Sequence, residues 1–332
     1  MDEFSEKLFN KNKEKILAIA ADRYGVKLDS FNKLGSFESE VFEFEKGGHA
    51  YILKITHSNH RKLNQVICEL NWIDHISQFG VPACELIFTN ENEILFKIDL
   101  DESYFILYAF KKAPGSLTGP SDWNDSFIRQ WGEITGKMHA ATKSYQPGEP
   151  TVDRFQWHED DSLNVRKHLP KEETALIERC EAHKSKLKPF SVDKNTYGIV
   201  HSDLHHGNFH YHDNIIYPFD FDDCHYNWFT FDISIPLFYA MRSAEIDEND
   251  ISYAGRFIKL FIEGYSRENS IDSAWIDKIP DFLKLREIDL YIILSKENAW
   301  EINDWCKRFS NNRKQRIEND TPVIDLDFSK WI

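Results

Sequence analysis

The order of apolar and polar residues divides the chain into two regions of different periodicity. Residues 5–24 carry Leu8, Ile16, Ile19 and Ala20 at helical spacing and stop at Tyr24-Gly25, which predicts an opening helix. The next stretch, FNKLGSFESEVFEFEKGGHAYILKITH, changes period: VFEFE and AYILKI flank a glycine pair, the pattern of a β-hairpin. Helical spacing returns over 60–79, where Leu63, Val66, Ile67, Leu70 and Ile73 share a face, and Gly80-Val81-Pro82 breaks it. ELIFTNENEILFKID and SYFILYAF read as further strands. Beyond Pro114-Gly115 the pattern is mostly helical, over 122–142, 171–188, 247–265 and much of 273–310. Short apolar pieces, YGIV, NFHYH and IIYPFDF, interrupt it near 199–221. The predicted fold class is α+β, with a small β-rich lobe over 1–107 and a larger, mainly helical lobe over 108–332.

Composition removes several classes of function. The chain of 332 residues is long enough for two lobes with a substantial core. No apolar run approaches the length of a membrane span, and MDEFSEKLFNKNKEK lacks the apolar centre of a secretory signal. The five cysteines, at 68, 84, 180, 224 and 306, form no CxxC pair. That argues against a zinc ribbon or a disulfide scaffold, and a cytoplasmic location is the expectation. With a net charge of −15 and no basic segment, neither a nucleic-acid nor a membrane partner is expected, whereas a cationic small molecule would be attracted.

The chemistry concentrates in HSDLHHGNFHYHDNIIYPFDFDD, residues 201–223. A metal site on imidazoles is one reading. His201 and His205 are four apart, but HExxH is absent and Gly207-Asn208 suit a loop better than a helix. His210 and His212 alternate with Phe209 and Tyr211, as on a solvated strand face. The carboxylates form a fuller set: His201-x-Asp203-x4-Asn208, then Asp220 within YPFDF. Phosphoryl transfer from ATP needs a carboxylate to orient the attacking hydroxyl and accept its proton, and hard oxygen ligands for Mg2+. Asp203 suits the first task, and Asn208 with Asp220 suit the second.

This segment resembles the catalytic segment of the aminoglycoside phosphotransferase/choline kinase-like family, distant relatives of the protein kinases. That family reads close to H-G-D-x-x-x-x-N followed by I-D-F or I-D-W; here Ser202 stands at the usual glycine. The resemblance runs from the N-terminal helix to about residue 295. By overall shape it is nearest the bacterial members that include spectinomycin kinase, type II homoserine kinase, the CotS-like spore-coat proteins and SrkA. It implies a bilobal protein kinase-like fold that uses ATP and Mg2+. By the same resemblance, Lys54 in YILKI is the phosphate-binding cation, with Glu69 as its ion-pair partner. Gly35, Ser36 and Ser39, in the turn LGSFESEVFEF, would let backbone N–H groups approach phosphate oxygens. Leu34, Val41 and Ile52 would sandwich the adenine, and the backbone around Tyr108, Ala109, Phe110 and Lys111 would meet its edge. Asp232 is a structural aspartate that bonds the catalytic loop or caps the helix that follows, and His201 is a loop anchor. Asp222 and Asp223 lie either beside the metal or in an exposed loop.

The expected partner is a small-molecule hydroxyl acceptor: aminoglycoside-like, an amino alcohol or a sugar. Asp281, Glu287 and Asp289, with Trp157, Trp300 and Trp305, are the candidates for holding a cationic or sugar-like acceptor. Two other readings stand beside this one. A protein Ser/Thr kinase of the SrkA type is disfavoured because Phe-Asp follows Asp220 and no APE occurs downstream. A non-catalytic kinase-fold scaffold is disfavoured because the catalytic set is complete.

Overall fold

A computed structural model describes residues 2–36, 38–100, 102–148 and 154–331. The chain forms two compact units. One comprises Met1–Gln78, Pro82–Pro114 and Gln146–Asp153; the other comprises Phe79–Val81, Gly115–Tyr145 and Arg154–Ile332. The main passage between them is the Pro114-Gly115 pair. Gly115 has φ +84°, and a Cβ there would lie 2.2 Å from the Tyr211 carbonyl oxygen, so glycine alone fits.

The first unit opens with helix α1 (Glu3–Tyr24), whose Gly25 cap is left-handed and returns its N–H to the carbonyls of Ala21 and Asp22. Strands β1 (Asn32–Ser36), β2 (Glu40–Lys46), β3 (His49–His57), β4 (Leu86–Ile87), β5 (Leu95–Leu100) and β6 (Ser103–Lys111) form an antiparallel sheet. Its order is β1-β2-β3-β6-β4, with β5 also on β6. The glycine pair predicted to close the hairpin does so. Lys46 faces His49, and Gly47 and Gly48 both have positive φ, as a two-residue turn of this hand requires.

Alternation then sorts the two sheet faces. Phe42, Phe44, Leu53, Ile55, Phe105, Leu107 and Ala109 join Phe9, Ile16, Ala20 and Tyr24 of α1 in one core. Residues one step out of phase, Val41, Ile52, Lys54, Tyr108 and Phe110, therefore point to the opposite face. Helix α2 (Leu63–Gln78) ends just before Gly80 and buries Val66, Glu69, Leu70 and Ile73.

The second unit is mostly helical: α3 (Asp125–Thr142), α4 (Val165–His168), α5 (Thr174–Leu187), α6 (Phe229–Ala240), α7 (Ile251–Tyr265), α8 (Ser273–Ile276), α9 (Ile279–Lys296), α10 (Asp304–Ser310) and α11 (Arg313–Glu318). The apolar pieces near 199–221 are strands: β7 (Tyr197–Val200), β8 (Phe209–His212) and β9 (Ile215–Pro218), with β10 (His225–Trp228) beside β7. Helices α3 and α7 touch backbone to backbone, because a Cβ on Gly264 would lie 1.8 Å from the Arg129 carbonyl oxygen. The periodicity does not reveal α6, and the reason is physical. All twelve of its residues are buried, so it has no polar face to set a rhythm. Among the described residues no helix is long and apolar enough to cross a membrane.

Candidate active site

The segment 201–223 is a loop, a hairpin and a second loop held between two paired strands. β7 leads into it at Val200, β10 leads out at His225, and those two residues face each other. Within it β8 pairs β9 from Phe209↔Pro218 to His212↔Ile215, around Asp213-Asn214, both at positive φ. The Phe219 N–H donates to the Asn208 carbonyl at 3.0 Å, extending this ladder by one step. The hairpin thus returns the chain to where it left, and the spacing between Asn208 and Asp220 is the length of that excursion. Asp220 is exposed and itself left-handed, at φ 59° and ψ 61°, a conformation that costs energy for a residue with a Cβ.

Buried polar groups anchor the first loop. The Phe219 carbonyl accepts from His201 Nε2 at 3.0 Å, so Nδ1 is the acceptor for the Asp203 N–H at 3.3 Å. His201 is therefore a loop anchor, as expected. Asp232, fully buried, accepts from the His201 N–H at 3.2 Å, the Ser202 N–H at 2.7 Å and His139 Nε2 at 3.0 Å. Of the two roles expected for Asp232, the loop bond is the one present; it lies inside the first turn of α6, not at its cap. Burial raises its pKa, but His139, His201 and the Ser202 amide hold it below the ordinary value. Ser202 has φ 71°, which explains the family's usual glycine at this place. Its hydroxyl lies 3.0 Å from His225 Nδ1, a contact glycine lacks. Trp131 Nε1 donates to the Leu204 carbonyl at 3.2 Å.

The carboxylate of Asp203 is gripped at both oxygens. Arg286, on α9, donates to Oδ1. Asn208 Nδ2 donates to Oδ2 at 3.0 Å and to the Asp203 carbonyl at 2.9 Å. His205 accepts the Gly207 N–H at Nδ1 and presents Nε2 to Oδ2 at 3.4 Å. Burial would raise the Asp203 carboxyl, but Arg286 and His205 hold it down to about 2. Because the Asn208 amide hydrogens are spent on Asp203, its Oδ1 is the atom available to a cation. In the second loop, Arg154 donates to the Asp222 and Cys224 carbonyls, and the Asp222 side chain is buried.

In the first unit Lys54 sits between Val41 on β2 and Tyr108 on β6. Directly opposed strand residues project to one face. The Tyr108 hydroxyl donates to Glu69 Oε1 at 3.4 Å, so Glu69 of α2 reaches the face that carries Lys54. Lys54 and Glu69 are both buried. Val41, Ile52 and Phe110 border them, whereas Ala109 points into the α1 core. The backbone of Tyr108, Ala109 and Phe110 is flanked by β3 on one side and by β5 or β4 on the other. Leu34 is the extra residue of a β-bulge between Lys33 and Gly35 and is 54% exposed. Gly35 has open space around its Cα, and the Ser36 side chain lies outside the described residues. Ser39 is committed to Thr56, hydroxyl to hydroxyl at 2.8 Å.

Several acceptor candidates are placed elsewhere. Glu287 is fully buried and bonded to Lys284 and Arg313. Asp281 pairs with Lys186, and Trp157 is buried against Trp228. Asp289 is bonded to Arg286 at 2.8 Å and to Ser162 at 2.6 Å. Trp300 lies against Tyr291, while Trp305 stacks on Tyr239, which also stacks on the His205 ring at 4.3 Å. Sequence reasoning missed His139, Tyr239 and Arg286. Nothing in their local pattern marks them; only the packing of α3, α6 and α9 brings them to the loop.

The family described as "Phosphotransferase enzyme family" matches residues 31–268. Amicoumacin kinase of Bacillus subtilis (strain 168) is 35% identical over 330 residues, spanning 98% of each chain. Among solved structures, an amicoumacin kinase in complex with AMP-PNP, Ca2+ and Ami superposes with a TM-score of 0.94 at 33% identity over 100% of both chains. A microcompartment-associated aminopropanol kinase has a TM-score of 0.72 at 18% identity, over 92% of this chain and 98% of its own, which speaks to the fold alone. The strand-flanked loop with its pinned aspartate, the α+β protein kinase-like fold and the near full-length likeness agree, and the chain belongs to the phosphotransferase enzyme family, as an enzyme that phosphorylates an alcohol group of a small molecule.

Proposed function

We propose that the enzyme transfers the γ-phosphoryl group of Mg2+-ATP to a hydroxyl of an amicoumacin-type acceptor, with Asp203 as the catalytic base. The observation that carries this reading is the Asp203 carboxylate, held at both oxygens by Arg286, Asn208 and His205. The acceptor oxygen bonds to the γ-phosphorus, the bond to the β–γ bridging oxygen breaks, ADP leaves, and the hydroxyl proton passes to Asp203. A carboxyl held near 2 is ionised throughout the working pH range. In a loose transition state the nucleophile needs orientation more than early proton removal, which a pinned weak base provides.

The residues present fit a hard divalent cation: one amide oxygen of Asn208, freed because its nitrogen serves Asp203, and the exposed carboxylate of Asp220. Bound there, Mg2+ would offset the phosphate charge. Lys54, oriented beside Tyr108 and Glu69, is the phosphate-binding cation of the first unit, and Gly35 allows a close backbone approach. The adenine edge falls to the chain after β6, since the strand's own groups are taken up in the sheet. The amicoumacin class is supported by the 35% identity to the kinase of that name. A cationic acceptor suits the chain's net charge of −15.

The test is ADP release from Mg2+-ATP with amicoumacin, then with aminoglycosides, spectinomycin, choline, homoserine and simple sugars, using Asp203→Asn as the blank. Amicoumacin-stimulated release that falls to a small residual rate in the variant is expected. Full activity in the variant would remove Asp203 from its role, and stimulation by another compound alone would replace the acceptor.

A further inference from the structure

We propose that Arg286 is the positioning residue of the catalytic base, supplied by a helix that lies beyond the family-matched part of the chain. This rests on the assignment of Asp203 as base. The family match ends at residue 268, and α9 begins at Ile279. None of the sequence motifs that mark the site includes this arginine.

Arg286 is buried, 6% exposed, and its guanidinium has three partners. Nη1 donates to Asp289 Oδ2 at 2.8 Å; Nη2 donates to the Tyr239 hydroxyl at 2.7 Å and to Asp203 Oδ1. Asp289 is held in turn by the Ser162 hydroxyl. The Tyr239 ring stacks against both the His205 and the Trp305 rings, with centroids at 4.3 and 5.6 Å. The planar fork is therefore held by Asp289 and Tyr239 as well as by Asp203, and it delivers a donor to one carboxylate oxygen. Asn208 and His205 approach the other oxygen. Pinned at both ends, the carboxylate plane cannot rotate, so the lone pair offered to the acceptor hydroxyl keeps one direction. An arginine serving α9 alone would need only Asp289. Sharing one buried cation between two carboxylates makes sense when the second must be held still. An ammonium cannot span three partners in one plane.

The test combines Arg286→Ala, Arg286→Lys and Tyr239→Phe with Asp203→Asn, in the full chain with Mg2+-ATP and the acceptor found above. For Arg286→Ala we expect kcat to fall about 100-fold, the loss typical of a reacting group displaced by an ångström. KM for ATP and for the acceptor should stay within about 3-fold, because neither ligand is bound by Arg286. Guanidinium added below unfolding concentrations should recover part of the lost rate, and neutral urea none. Adding Arg286→Ala to Asp203→Asn should cost nothing more, as groups that act as one unit are not additive. A loss carried by KM, an absence of guanidinium rescue, or an equal loss in the Asp203→Asn background would overturn the proposal. If Arg286→Ala does not fold, Arg286→Lys and Tyr239→Phe decide: each should lower kcat with ATP KM unchanged, and wild-type kcat in both overturns it. Wild-type activity of Asp203→Asn would instead overturn the base assignment, whatever Arg286 does.

Discussion

Replacing Asp232 by asparagine isolates the anchor under the catalytic loop. The carboxylate is fully buried and accepts three hydrogen bonds, from the His201 and Ser202 N–H groups and from His139. His139 is itself positioned by the Tyr265 hydroxyl at 3.0 Å and by stacking on Phe229 at 4.4 Å. An asparagine keeps one acceptor oxygen, which can still serve Ser202. Its NH2 then confronts the His201 N–H, donor against donor. A buried donor left without a partner costs about 1–3 kcal/mol, and a bond to a charged group contributes about 1.5–3 kcal/mol. Together the expected loss is about 2.5–6 kcal/mol. At about 2–4 °C per kcal/mol, Tm falls by roughly 5–24 °C.

The loop carries Asp203, so kcat should also drop, by about 100-fold for a displacement near one ångström. The pH dependence has a definite sign. The folded pKa of Asp232 lies below the ordinary 3.8. The stabilisation it contributes is therefore present above pH 3.8 and is lost as pH falls through the lower, folded value. Thermal or urea unfolding of both proteins across this range reads the difference directly. The stability gap should be constant near neutral pH and close only at the acid end. A variant with wild-type Tm and kcat would refute the claim that Asp232 anchors the loop.

Ser202, at φ 71°, offers a second test. Ser202→Gly relieves about 1 kcal/mol of left-handed strain and forfeits about as much in the contact to His225. Its Tm and kcat should stay close to wild type, whereas Ser202→Val should lower both in activity and unfolding assays; a wild-type-like valine variant would contradict the backbone assignment. Gly264→Ala drives a methyl group into the Arg129 carbonyl and must part α3 from α7. A cost of about 1–3 kcal/mol, seen as a lower urea midpoint, is expected, and an unchanged midpoint would mean the helices do not meet so closely.

Much of this site is legible without coordinates because its chemistry is local in sequence. His201, Asp203, Asn208 and Asp220 fall within one stretch, and a hairpin is the short way to bring the last two to the same place. Lys54 is marked by its strand and Glu69 by its helix. The fate of the acceptor candidates was less legible. Glu287 looks like a ligand-facing acid in the sequence, yet it is a buried counter-ion of Lys284 and Arg313, and charge alone does not say which way a helix turns. Helix α6 was hidden because a helix buried all round has no amphipathic period.

The sequence by itself determined the fold class, the order of most elements and the turn that closes the hairpin, and it gathered the proposed carboxylate set into one stretch. These follow from residues close together along the chain, where periodicity and turn chemistry act. Tertiary structure alone decided what holds the loop that carries Asp203. His139 from α3, Asp232 and Tyr239 from α6, and Arg286 from α9 converge on it from distant parts of the chain. A buried polar group is stable only where its partner is delivered, and that delivery depends on how helices pack.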